Sequence, residues 1–189
     1  ELYAYGTVKA APENVLTELA RIHDLNAIWQ KFLDIYSSAS MRKISPGTIP
    51  VLMYHRVSDA PIATKHRTFV TKKNFKKHLR FFALRGLQSI TFQDYLAFSS
   101  GDIPLQEFPR KPFILTFDDG YEDNCRNMLP LAQKYGYRGV MFLLGDFSAR
   151  GNFWDAGEDA EANRLMTTEQ KRAFVDDGWE MGAPTLPHP

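Results

Sequence analysis

The sequence predicts an α/β fold whose largely parallel sheet is either open or closes into a barrel. Three observations carry that expectation. Short apolar runs alternate with amphipathic helical stretches from Ile49 onward, the order expected of βα units. The most apolar run, Pro112-Phe113-Ile114-Leu115-Thr116-Phe117, stops abruptly on Asp118-Asp119-Gly120, and strand C-termini are where such folds place chemistry. Finally, 44% hydrophobic and 13% aromatic residues in a 189-residue chain are enough for a substantial core.

Taken in order, residues 14–36 are expected to be helical, because Leu16, Leu19, Ile22, Leu25, Ile28, Phe32 and Ile35 recur at spacings of three or four. His23, among them, reads as a surface or core-edge residue. Ser37 to Pro50 carries prolines, serines and a glycine and reads as a linker. Residues 1–48 are therefore expected to be a helical appendage and linker, and 49–189 the main domain. Ile49 to Val57 is the first core strand, with Val51, Met53 and His55 on one face and Leu52 and Tyr54 on the other. Ser58 to Thr68 is a polar loop holding His66 and Arg67.

Thr71 is the expected N-cap of a helix running to Arg85, with Phe75, Leu79, Phe82 and Ala83 as its apolar stripe and Gly86 as its stop. Residues 87–90 form a short strand, Thr91 caps a helix through Leu96, and 99–110 is a loop. The 113–117 strand follows. Asn124 to Tyr135 is helical, with Pro130 marking a kink or boundary and Gly136 the end. Val140 to Leu144 is a strand, 149–163 a surface excursion, and Thr167 with Gln170 a capping box. That helix would bury Ala173, Phe174 and Val175, end at Gly178, and lead into a strand at 179–182. An eight-stranded barrel typically takes about 250 residues, so 49–189 is expected to cover roughly half of one.

Charge excludes some partners. Lys and Arg total 23 against 22 acids, a net charge of +1 that gives no argument for nucleic acid. Lys72, Lys73, Lys76, Lys77, His78 and Arg80 read as a solvated helix face. No run approaches the ~18 apolar residues of a membrane span. A single cysteine, Cys125, excludes an internal disulfide. No secretory leader is recognisable, but Glu1 is not an initiator methionine, which leaves room for a longer precursor.

The chemistry concentrates at strand ends. Two adjacent acids are costly to keep ionised unless a cation or hydrogen bonds compensate, so Asp118 and Asp119 are expected to divide two roles, metal binding and proton handling. Asp119 and His188 are suitable zinc ligands; no convincing third is evident. His55 and Arg56, closing a buried strand, serve either a site or the structure.

Thr116-Phe117-Asp118-Asp119-Gly120-Tyr121 resembles the hallmark motif of the polysaccharide deacetylases, also called the NodB homology domain or carbohydrate esterase family four. Pro50 to Val57 resembles the opening strand of many such bacterial proteins, Phe75 to Gly86 their first helix, Tyr135 to Phe142 the next strand, and Gly178 to Gly182 the approach to the second motif. The resemblance spans Ile49 to Pro189. It implies a distorted (β/α) barrel, incomplete in this chain, and a hydrolase acting on carbon–nitrogen bonds other than peptide bonds. The substrate would be an acetylated glycan, with removal of N- or O-acetyl groups, N-acetyl being favoured.

By the same resemblance Asp118 is the general base, Asp119 a ligand of a divalent metal with zinc favoured, and the second motif's two histidines fall at Pro184 and His188. His55, Arg56, Tyr121 and Asp146 are possible supporting residues. A cell-envelope or extracytoplasmic site is implied. Proline cannot ligate a metal. Pro184 therefore leaves three readings open: an incomplete or misread chain end, a catalytically inactive glycan-binding or scaffolding member, or a substitute ligand such as His55 or Asp146.

Overall fold

The structure is a computed structural model that describes residues 49–62, 68–144, 151 and 163–183. The expected helix at 14–36, the loop residues His66 and Arg67, Asp146, and the terminal segment with Pro184 and His188 lie outside those residues.

The alternation read from the sequence is present. β1 (Val51–Tyr54), β2 (Arg56–Ser58) and β3 (Phe69–Thr71) lead into α1 (Lys72–Leu84), then β4 (Gln88–Ile90), α2 (Phe92–Ser100) and β5 (Pro112–Phe117). A π-helical turn at Asn124–Met128 runs into α3 (Leu129–Tyr135), followed by β6 (Val140–Phe142), α4 (Thr168–Asp176) and β7 (Glu180–Gly182). Five strands form one all-parallel sheet organised around β5. Ile114 pairs with both Val51 and Ile90, while Phe117 pairs with both Tyr54 and Met141. β1 therefore takes one edge of β5, and β4 and β6 share the other in succession. β2 and β3 make a separate parallel pair.

Both faces of the sheet are covered, which is why β5 can be apolar throughout. Phe113, Leu115 and Phe117 pack in the larger core cluster with Phe75, Leu79 and Phe82 of α1, Ala132 of α3, Phe174 of α4, and Trp179. Ile114 faces the other way, among Val51, Ile90, Tyr95, Phe108, Val140 and Phe142. Close approach of neighbouring backbones is built in at Gly139, where a Cβ would run into the Leu115 carbonyl oxygen.

Local expectations were met at most boundaries. Thr71 caps α1 by accepting from the Asn74 N–H, and capping boxes start α2 at Thr91 and α4 at Thr167. Four expectations need correction. The first strand is broken at His55 rather than continuous, because Arg56 turns inward to buried partners. α2 runs on to Ser100, ended by the left-handed Gly101 rather than at Leu96. Ala83, Ala173 and Val175 are exposed, since only the centre of each apolar stripe meets the sheet. His78 leaves the basic face and is buried, its Nδ1 3.2 Å from the Tyr54 hydroxyl, whereas Lys72, Lys73, Lys76, Lys77 and Arg80 are exposed. No helix of the described residues is long and apolar enough to cross a membrane.

Candidate functional site

The end of β5 is built from both sides. Asp118 continues the pairing with β1, its N–H donating to the Tyr54 carbonyl at 2.9 Å. The chain then turns through two left-handed residues, Asp119 at φ 71° and Gly120 at φ 74°. Glycine tolerates that geometry; an aspartate held there stores strain on the order of 1–3 kcal/mol and persists only where its surroundings over-determine it. Asp119 is the sole non-glycine with positive φ among the described residues. A side chain at 120 would be strained by the positive φ, and its Cβ, 2.8 Å from Leu143 Cδ2, would make the tip of that leucine shift.

Both carboxylates are nearly closed off from solvent, with Asp118 9% and Asp119 6% exposed. Asp118 Oδ1 has no hydrogen-bond partner among the described residues. Burial, reinforced by the neighbouring Asp119 charge, pushes the Asp118 carboxyl up to about 8. A carboxylate in that condition favours either a proton or a cation.

Beyond the turn, residues 120–122 lie against 164–166. Met166 N–H donates to the Gly120 carbonyl and Glu122 N–H to the Arg164 carbonyl, each at 2.9 Å, with Tyr121 bridged to Leu165. Tyr121 is buried under the Arg56 guanidinium, whose carbon stands 4.6 Å from the ring centroid. Arg56, 2% exposed, donates from Nε to Asp123 Oδ2 at 3.0 Å and from Nη1 to Asn163 Oδ1 at 3.1 Å. Burial raises the Asp123 carboxyl while the Arg56 charge opposes the rise. His55 joins through its backbone, its carbonyl accepting from Asn124 Nδ2 at 2.8 Å.

Of the residues singled out from sequence, Asp118, Asp119 and Tyr121 thus form one continuous turn, and Arg56 packs against its exit. Asp123, Asn124 and Asn163 were not foreseen. Among the described residues, no group of three or more His, Cys, Asp or Glu could by itself hold a metal ion.

Residues 106–189 match the family model for polysaccharide deacetylase. A curated relative, the putative polysaccharide deacetylase YxkH of Bacillus subtilis (strain 168), is 31% identical over 152 residues, 80% of this chain and 47% of the relative. These matches identify residues 106–189 with the polysaccharide deacetylase family, and 80% of the chain with a relative described as one of its members.

Solved structures agree in fold. The putative polysaccharide deacetylase BA0330 from Bacillus anthracis is 27% identical with a TM-score of 0.52, matched over 75% of this chain and 40% of that one. A de-N-acetylase from Aggregatibacter actinomycetemcomitans is 21% identical with a TM-score of 0.59, covering 71% of this chain and 53% of that one. The latter likeness concerns the fold alone. The family's barrel is therefore the frame in which the parallel sheet around β5 sits. The chain spans about half the length of the curated relative it matches.

Proposed function

We propose that this protein is a metal-dependent hydrolase that removes acetyl groups, N-acetyl in preference, from a polysaccharide or oligosaccharide. The observation that carries the reading is the buried Asp118-Asp119 pair at the end of β5, with Asp118 Oδ1 unpartnered and its carboxyl raised to about 8. Two adjacent buried acids with one orphaned oxygen fit a divalent cation, whose charge would offset their mutual repulsion. Asp119 and His188 would hold it, zinc being the favoured ion; bound there, it would supply Lewis-acid polarisation of the acetyl carbonyl.

The remaining steps belong to the chain. Asp118, ionised beside a cation, accepts the proton of the attacking water, which its burial keeps from competing hydrogen bonds. Leu143 and Met166, lying beside Gly120, present apolar surface next to the turn. The leaving amine takes up a proton as its bond to the acetyl carbon breaks. Residues 49–189 form the deacetylase domain in this reading, and 1–48 an appendage to it.

Pro184, where the family has a histidine, favours a second reading: an inactive member that binds acetylated glycan without hydrolysing it. The two separate in one experiment on the full protein. The enzyme reading expects stoichiometric zinc by elemental analysis and acetate release from an N-acetylated oligosaccharide. Oligosaccharide binding with neither zinc nor acetate would replace it with the binding role.

A further inference from the structure

The break between β1 and β2 brackets the whole acid-bearing turn. Three consecutive residues grip it at successive points: Tyr54 through its carbonyl at Asp118, His55 through its carbonyl at Asn124, and Arg56 through its side chain at Tyr121 and Asp123. Arg56 also reaches Asn163, next to the segment 164–166 that pairs with 120–122. One buried guanidinium therefore joins three stretches of chain far apart in sequence, at the exit of the turn where Asp119 adopts φ 71°.

A buried ion pair is a poor device for stability alone, because an apolar replacement of similar volume often does as well or better. Its planar fork does what an apolar residue cannot: it fixes the direction of a carboxylate and an amide while stacking on a ring. We propose that Arg56 is a positioning residue, holding the Asp118-Asp119-Gly120 turn in its left-handed form through Tyr121 and Asp123 so that the two carboxylates stay set for cation binding and proton transfer. This rests on the function proposed above. Arg56 itself acts through its neighbours.

The test uses Arg56→Lys, Arg56→Met, and Arg56→Met combined with Asp123→Asn, which avoids leaving a buried carboxylate uncompensated should the single Met variant fail to fold. Zinc affinity by competition titration, thermal stability, and kcat and KM for acetate release are measured on each in the full protein. For a folded double variant, zinc affinity and kcat fall by roughly 10–100-fold while KM moves less than about threefold, and Arg56→Lys recovers part of the loss. A folded double variant with wild-type zinc affinity and kcat, changed only in melting temperature, overturns the proposal. Wild-type protein that binds zinc but releases no acetate overturns the deacetylase reading instead, and the zinc affinities still decide the role of Arg56. Wild-type protein that does neither overturns both.

Discussion

At the scale of single residues, Asp118 is the carboxyl of the candidate site whose proton affinity folding shifts to about 8. Its carboxyl is raised from 3.8 to about 8 by burial and then by Asp119, so the folded metal-free protein binds this proton more tightly than the unfolded chain does. The resulting stabilisation is complete below about 4 and is lost as pH rises towards about 8. The metal-free protein should lose thermal stability between about pH 5 and pH 8, by an amount on the order of a few kcal/mol. Asp118→Asn, neutral throughout, should show a shallower slope, and zinc should restore the wild type most at the alkaline end. Thermal melts across pH with and without zinc read all three; a wild-type slope equal to that of the Asn variant would remove Asp118 from the account. The acid pair was legible in the sequence because adjacent acids after an apolar run are chemically conspicuous. The partners of Arg56 were not, since contacts to Asp123 and Asn163 across 67 and 107 residues leave no periodic trace.

At the scale of elements, the sequence carried local rules well. Thr71, Thr91 and Thr167 cap their helices as read, and Gly86, Gly136 and Gly178 take left-handed conformations near the helix ends. Where a third party decides, it carried less. Ala173 and Val175 share a helix with the buried Phe174 but meet no sheet, and only packing settles that. Pro130 signalled a discontinuity; its form is a π-helical turn, in which the Leu129 N–H reaches back to the Asn124 carbonyl just before the proline. Asn124 and Asn127 of that turn donate to the carbonyls of His55 and Val57, so the irregular turn is pinned to the break after β1. The close approach of Gly139, just before β6, to the backbone of the neighbouring β5 is testable in the same terms. Gly139→Ala would press a methyl group onto the Leu115 backbone and should cost about 1–3 kcal/mol, read from urea unfolding. An unchanged midpoint would show that the two strands are further apart than described.

At the scale of the whole molecule, the parallel arrangement explains why the candidate site lies at one strand end. β5, flanked on both edges and covered on both faces, carries the two acids at its C-terminal end, where both are still buried. The alternation of strands and helices made the fold class readable, and the Thr-Phe-Asp-Asp-Gly context made the family readable. Strand order was not, because pairing of β1 and β4 to opposite edges of β5 depends on contacts distant in sequence. In the proposed function the two acids divide their labour, Asp118 moving the proton and Asp119 holding the ion. That division is tested most directly by measuring acetate release and bound zinc together in wild-type and Asp118→Asn protein. The Asn variant is expected to lose acetate release by a factor on the order of 10²–10⁴ while keeping its zinc. Loss of zinc in that variant, or acetate release at the wild-type rate, would contradict it.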